Sequence, residues 1–377
     1  MNFTWIQGET KMGKLDYLKQ FESRNTVTAY KTALKKYFQT IYGEKIENGE
    51  LETIAEKYFT EKRNFMEDVQ RFAVEIKRYA PKSRKLFLSA VRIFLLENGV
   101  ELPQLFWRRL RKRIKGGRAI SEEKIPSRDE LKQIFMHLPL QGRALFLLLL
   151  SSGMRIGEAL KLKLNDIDFK SSPVKITIKA EYTKSGIGRI SFISDEAAEA
   201  VKEWLKIRDE YLKTAVKRSG NRKKGNDERL FPFTSQNAGL MWRLALKKTG
   251  NYQKDPRTQR TLIHPHCLRK YFRAVLGVKS RDLTQTLMGH QEYLDEVYRK
   301  YPNPEKTLGD FYRENMHLLT VFSNSENVEK LKMEIEEKNR QLQEIINSLI
   351  AENMVLKEKL KKIEEAVGKL MERIGVD

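Results

Sequence analysis

Cysteine is almost missing from this chain: of 377 residues, only Cys267 carries a thiol. A single cysteine excludes an intrachain disulfide framework and fits a reducing compartment. Long apolar runs are missing too. The longest, ALFLLLL at Ala144–Leu150, falls far short of the roughly 20 residues needed to cross a bilayer and predicts a buried helix. The opening residues MNFTWIQGET lack a basic segment leading into an apolar run, so no secretory leader is expected. Negative charge is in deficit, because 72 Lys+Arg face 50 Asp+Glu and leave +22. That excess points to a polyanionic partner, nucleic acid before a membrane surface. Leu, Ile, Val, Phe and Met are plentiful enough to exclude wholesale disorder. At roughly 150 residues per domain, the length predicts two or three domains.

What is present divides into regions. Residues 1–107 show helical periodicity and no strand pattern: Val27, Tyr30, Leu34, Phe38 and Ile41 recur after Asn25, a candidate N-cap. A second stripe runs through Leu86, Leu88, Val91, Phe94 and Leu95. Residues 108–126, within RRLRKRIKGGRAISEEKIPSRDEL, form a basic, glycine-containing linker, suited to crossing phosphates or merely to being solvated. Ser127 with Glu130 then reads as a capping box that opens the next region.

Residues 127–320 are mixed. Helical patterns surround a strand pair, in which VKITIKAEY alternates apolar with polar residues, TKSGIG turns and RISFI returns. KRSGNRKKGNDER, Lys217 to Arg229, has no apolar content and predicts a basic loop. The expected fold class is therefore mainly α with a small antiparallel β-sheet.

Residues 324–377 differ in kind. Val328, Ile335, Leu342, Leu349, Leu356, Ile363 and Leu370 recur at seven-residue intervals, each followed four residues later by Lys332, Asn339, Ile346, Asn353, Leu360, Val367 and Ile374. Leu at d with Asn at two a positions favours a parallel two-stranded coiled coil; a single helix folded back on the body is the alternative. Over 323–377 ten basic residues face twelve acidic ones, so the tail is not where a polyanion binds.

Several residues could carry chemistry. In SSGMRIGEALKLKL, Arg155 follows a helix break at Gly153, and its planar fork suits a phosphate as well as an ordinary salt bridge. Lys184 sits at the turn of the strand pair. In HPHCLRKYFRAVL, Leu268, Phe272 and Val275 make an apolar stripe, while His266 and Arg269, three apart, share another face. A zinc site from His264, His266, Cys267 and His290 fails on spacing, and neither metal nor cofactor is expected. LMGHQEYLDEVYRKYPNPEKTLGDFY places Tyr293, Tyr298, Tyr301 and Tyr312 after Gly289-His290, and a phenol among basic groups is a candidate nucleophile.

Taken in chain order, SSGMRIGEALKL, YTKSG, HPHCLRKYF and LMGHQEYLDEVY resemble the boxes of the tyrosine recombinase (phage-type integrase) family, in phrasing closest to integrases of archaeal viruses and plasmids. The resemblance covers 127–320 directly. SRNTVTAYKTALKKYF resembles the family's helical core-binding domain. It implies a site-specific recombinase with Arg155, Lys184, His266, Arg269 and His290 around a scissile phosphate. Tyr298 is the implied nucleophile, with Tyr301 as the alternative, because many members space histidine and tyrosine by nine residues and here the intervals are eight and eleven. The implied partners are double-stranded DNA and further copies of the chain, a dimer through the coiled coil and a tetramer on paired sites. The expected location is the cytoplasm, with the nucleoid. Two other outcomes stay open: DNA relaxation of the type IB topoisomerase kind, and a zipper-dimerised regulator without catalysis. A basic-zipper arrangement is disfavoured, since MHLLTVFSNSEN before the heptads lacks a basic helix.

Overall fold

The computed structural model describes residues 13–322, except residue 48 and the stretches 115–121 and 219–224, together with scattered helical residues between 337 and 363. The side chains at 295, 296, 298 and 299 are outside that description. The chain divides into two compact units, Met1–Glu122 with Lys254–Thr261, and Glu123–Gln253 with Leu262–Asp377.

The first unit is helical: α1 (Arg24–Tyr42), α2 (Leu51–Thr60), α3 (Phe65–Glu75), α4 (Pro81–Glu97) and α5 (Gln104–Arg113). Ser23, not Asn25, caps α1, its hydroxyl accepting from the Thr26 amide at 3.3 Å. Asn25 thus falls in the first turn. In α4, Leu88, Val91, Phe94 and Leu95 of the expected stripe are buried, but Leu86 is exposed and Phe87 takes the inward position beside it. Tyr37, Phe38, Tyr58, Phe72 and Phe94 form a solvent-excluded aromatic centre. Its buried polar atoms are satisfied, because the Tyr58 hydroxyl donates to Asp68, which also accepts from Arg63. The first residues of the expected linker are helical: α5 reaches Arg113 and buries Trp107 and Leu110.

The second unit contains α6 (Arg128–Met136), α7 (Leu140–Ser152), the one-turn α8 (Ile156–Ala159), strands β1 (Ile167–Asp168), β2 (Val174–Ile178) and β3 (Arg189–Ile193), then α9 (Asp195–Arg218), α10 (Ser235–Lys248), α11 (His266–Gly277), α12 (Arg281–Met288), α13 (Gln291–Lys300) and α14 (Pro304–Asn315). The capping box is present: Ser127 accepts from the Glu130 amide while Glu130 accepts from the Ser127 amide. From Ala144 to Ser152 every residue of α7 is buried, and this helix is the axis of the core. The sheet is antiparallel in the order β1-β2-β3, with Ile176 opposite both Ile167 and Ser191. Only two strands were legible in the sequence, because two residues of β1 are too few to alternate. Ala180 lies past the end of β2, in a 3-10 turn, Ala180–Tyr182. There Asp166 accepts from the Tyr182 hydroxyl and from Lys179, at 2.9 and 2.8 Å, and fixes the base of the turn.

A smaller apolar cluster, including Ile190, Phe192, Phe272, Leu287 and Tyr312, lies beneath α11, α12 and α14. At its far end the chain returns to the main core. Val321 and Phe322 are buried, and their amides donate to the Glu196 carboxylate at 2.8 and 3.0 Å. In the tail, Leu342, Leu349, Leu356 and Ile363 are more than half exposed; most of the other heptad positions lie outside the described residues, as do residues 219–224 of the basic loop.

Candidate active site

Helix α7 stops at Gly153, whose φ of +63° is open to glycine at little cost. A Cβ there would lie 2.5 Å from the Phe272 ring, so glycine also permits α11 to lie against the turn. The chain then reverses into α8 with Arg155 as its capping residue. The Arg155 amide donates to Glu158 Oε2 at 3.0 Å and its guanidinium to Glu158 Oε1 at 2.9 Å. Glu158 is buried, but the Arg155 side chain is 41% exposed. One edge of the fork is held from below and the rest faces outward.

Arg269 comes to the same corner from α11. It is 3% exposed and donates to the carbonyls of Gly153 and Met288. Its Nη2 lies 3.2 Å from His290 Nε2. Among the described residues no carboxylate forms an ion pair with it. Burial first, then the like charges of Arg155 and Arg189, push its guanidinium down to about 9, with Glu158 opposing; it stays cationic at neutral pH. A buried cation lacking a counter-ion favours an anion supplied from outside.

His266, the first residue of α11, is exposed. Its ring stacks on His264, with centroids 6.2 Å apart and planes 13° apart. His264 in turn faces Glu123, which also binds Lys270. His290 follows Gly289, a left-handed residue at φ +77°, and starts α13 with its amide bonded to the Gln285 carbonyl at 3.1 Å. Both imidazoles are held below their ordinary value. For His266 the causes are partial desolvation, then Arg269, His264 and Arg155; for His290 they are partial desolvation, then Arg269, Arg155, Arg273 and Arg189. Four of the sequence candidates, Arg155, His266, Arg269 and His290, are therefore electrostatic neighbours.

Lys184 stands apart, exposed in the turn between β2 and β3, and no contact joins it to these four among the described residues. Tyr298 belongs to α13, but its side chain is outside the described residues. Tyr301 ends that helix, half-buried and packed against the smaller apolar cluster. Tyr312 is fully buried, its hydroxyl donating to the Ser151 carbonyl at 2.7 Å. Arg189, a residue the sequence reading passed over, is buried and donates to Glu158 Oε2 at 2.7 Å and to the Leu287 carbonyl at 3.0 Å.

Residues 127–306 match the phage integrase family. The chain is 31% identical over 158 residues to "Tyrosine recombinase XerC" of Alcanivorax borkumensis, a match that covers 41% of this chain and 46% of that protein. The chain thus spans about half the length of that curated relative. The fold is shared with a lambda integrase dimer bound to a COC' core site, at 16% identity and a TM-score of 0.51, covering 77% of this chain and 78% of that one. A lambda integrase(75-356) dimer on the same kind of site gives 14% identity and a TM-score of 0.51, covering 74% and 94%. Among the described residues no helix is long and apolar enough to cross a membrane.

Proposed function

We propose that this protein is a site-specific DNA recombinase that cuts and rejoins strands through a 3′-phosphotyrosine. The observation that carries this reading is Arg269: a buried guanidinium in no ion pair with a carboxylate among the described residues, beside half-exposed Arg155 and two depressed imidazoles, is what a scissile phosphate needs. The two guanidiniums bind its non-bridging oxygens and stabilise the charge added in the transition state. One such preorganised contact is worth on the order of 3 kcal/mol.

The step is a transesterification. The phenolic oxygen of Tyr298 bonds to phosphorus, the bond to the 5′-oxygen breaks, and the phenolic proton passes toward His266. Lys184 protonates the departing 5′-oxygen, help usually worth about 10²–10⁴-fold, and His290 donates to the phosphate. A second 5′-hydroxyl reverses the step on another strand. One phosphodiester is exchanged for another, so no ATP or metal is required. Packing of Tyr301 in an apolar cluster supports Tyr298 as nucleophile. Glu158, holding Arg155 from below, orients and does not react.

Residues 1–107 and 127–320 would grip a duplex as core-binding and catalytic domains, joined by the basic segment 108–126, and affinity should then fall steeply with salt. The exposed heptad leucines support pairing of the 324–377 tail with a second copy, which raises the effective concentration of protomers. Two such pairs would meet as a tetramer on paired sites, acting on DNA in the cytoplasm.

The test is a nicked suicide duplex followed by mapping of the cross-linked peptide. A covalent adduct at Tyr298 is expected. An adduct at Tyr301 would move the nucleophile, and none from the unaltered chain would end the recombinase reading. Product topology separates joining of two sites from relaxation.

A further inference from the structure

Arg189 begins β3 at the end of the turn that carries Lys184. It would be expected in a solvated basic hairpin, yet its side chain is 2% exposed. Its donors go two ways. Nη2 donates to Glu158 Oε2 at 2.7 Å, and Nε donates to the Leu287 carbonyl at 3.0 Å. Leu287 lies in the last turn of α12, an end whose carbonyls lack helical partners. Gly289 closes over the same guanidinium: a Cβ there would lie 2.6 Å from Arg189 Cδ and 2.8 Å from Cζ. His290 is the next residue.

The other carboxylate oxygen of Glu158 holds Arg155. Burial alone would raise the Glu158 carboxyl, but the Arg189 hydrogen bond and charge, then the Arg155 contacts, leave it below its ordinary value. Without Arg189, Glu158 would be a buried anion with one half-exposed partner, free to move or to take a proton. A buried pair that loses one member is strongly destabilised. Arg189 thus touches, through one guanidinium, the support of Arg155 and the turn that presents His290.

Resting on the recombinase reading above, we infer that Arg189 is a positioning residue of the strand-transfer site. It fixes Glu158 beneath Arg155 and pins the Leu287–Gly289 turn, so that the arginine and the histidine meet one phosphate in register. It touches no reacting atom. Lysine cannot replace it, because one ammonium cannot reproduce donors on two different guanidinium nitrogens.

The experiment measures single-turnover cleavage of a nicked suicide duplex by the full chain, with duplex affinity and Tm measured alongside. The deciding variant is E158Q/R189Q, which removes both buried charges. Were Arg189 merely structural, this neutral pair would restore Tm and cleave no more slowly than E158Q, which lacks the same support of Arg155. The inference expects Tm restored relative to R189Q, duplex affinity unchanged within about 3-fold, and cleavage slowed by about a further 10-fold relative to E158Q, through the lost hold on the Leu287–Gly289 turn. Should that double variant be unstable, R189K decides, since it keeps the charge and Glu158: cleavage slowed about 10-fold with Tm held supports positioning. Cleavage by the folded double variant at the E158Q rate, or by folded R189K at the unaltered rate, overturns the inference alone. No adduct from the unaltered chain overturns the recombinase reading and this inference with it.

Discussion

Arg269 Nη2 lies 3.2 Å from Nε2 of His290, and a guanidinium can only donate. Nε2 is therefore the acceptor, and the proton of the neutral ring sits on Nδ1. His290 can give a phosphate a hydrogen bond from Nδ1 without first becoming charged. The pair needs no carboxylate to set the tautomer, because the arginine does it.

The pH dependence of cleavage follows from the same neighbours. Loss of hydration and nearby guanidiniums disfavour the charged form of His266 and His290, which lowers their proton affinity below the ordinary 6.5. A base required in its neutral form then stays active on acidification past that value. Single-turnover rates between pH 5 and 8 should show an acid limb centred below 6.5, and Arg155→Gln should shift it upward. A limb centred above 6.5 in the unaltered chain would contradict this. Stability has the same sign: the unfolded chain takes these protons first, so the contribution present above 6.5 is lost as pH falls toward the folded values.

Gly153→Ala combines two penalties. The left-handed backbone strains any side chain, and the new Cβ would meet the Phe272 ring. A loss of about 2–4 kcal/mol is expected, read as a fall in Tm. Because the Gly153 carbonyl accepts from Arg269, cleavage should fall further than the loss of folded protein explains.

Tyr312→Phe removes the hydrogen bond to the Ser151 carbonyl, a group in the last turn of α7 that has no helical partner. A cost of about 1–2 kcal/mol in denaturant titration is expected. Covalent adduct formation should persist, since this phenol is shut away from any phosphate. A stable protein unable to form adduct would show that Tyr312 has been misread.

Deleting residues 324–377 should leave cleavage of a single suicide duplex unchanged and shift sedimentation toward monomer in the absence of DNA. An unchanged sedimenting mass would remove the tail from any part in assembly.

The legible and illegible parts of this chain differ for physical reasons. Arg155, His266, Arg269 and His290 were picked out together because their boxes, taken in chain order, resemble a family pattern; the local marks beside them, a glycine, a proline or a change of period, single out none of them alone. Mainly helical architecture with a small antiparallel sheet was also readable, since α7 and the β2–β3 pair carry unmistakable patterns. Arg189 was not readable. Alternation assigns one face of a strand to water, but all five residues of β3 are buried, with the smaller cluster on one side and α7 on the other. A strand covered on both faces conceals a charged residue from any inside-outside reading. Ser23 and Phe87 were missed by a shift of one or two positions, within the usual uncertainty of helix ends and stripes.

Glu196 accepts the amides of Val321 and Phe322 while both side chains sit in the core. Traction on the tail would thus meet a riveted joint before it could peel α14 away. Strain applied beyond Phe322 would therefore enter the second unit through α9, the helix that bears Glu196, and not through α13.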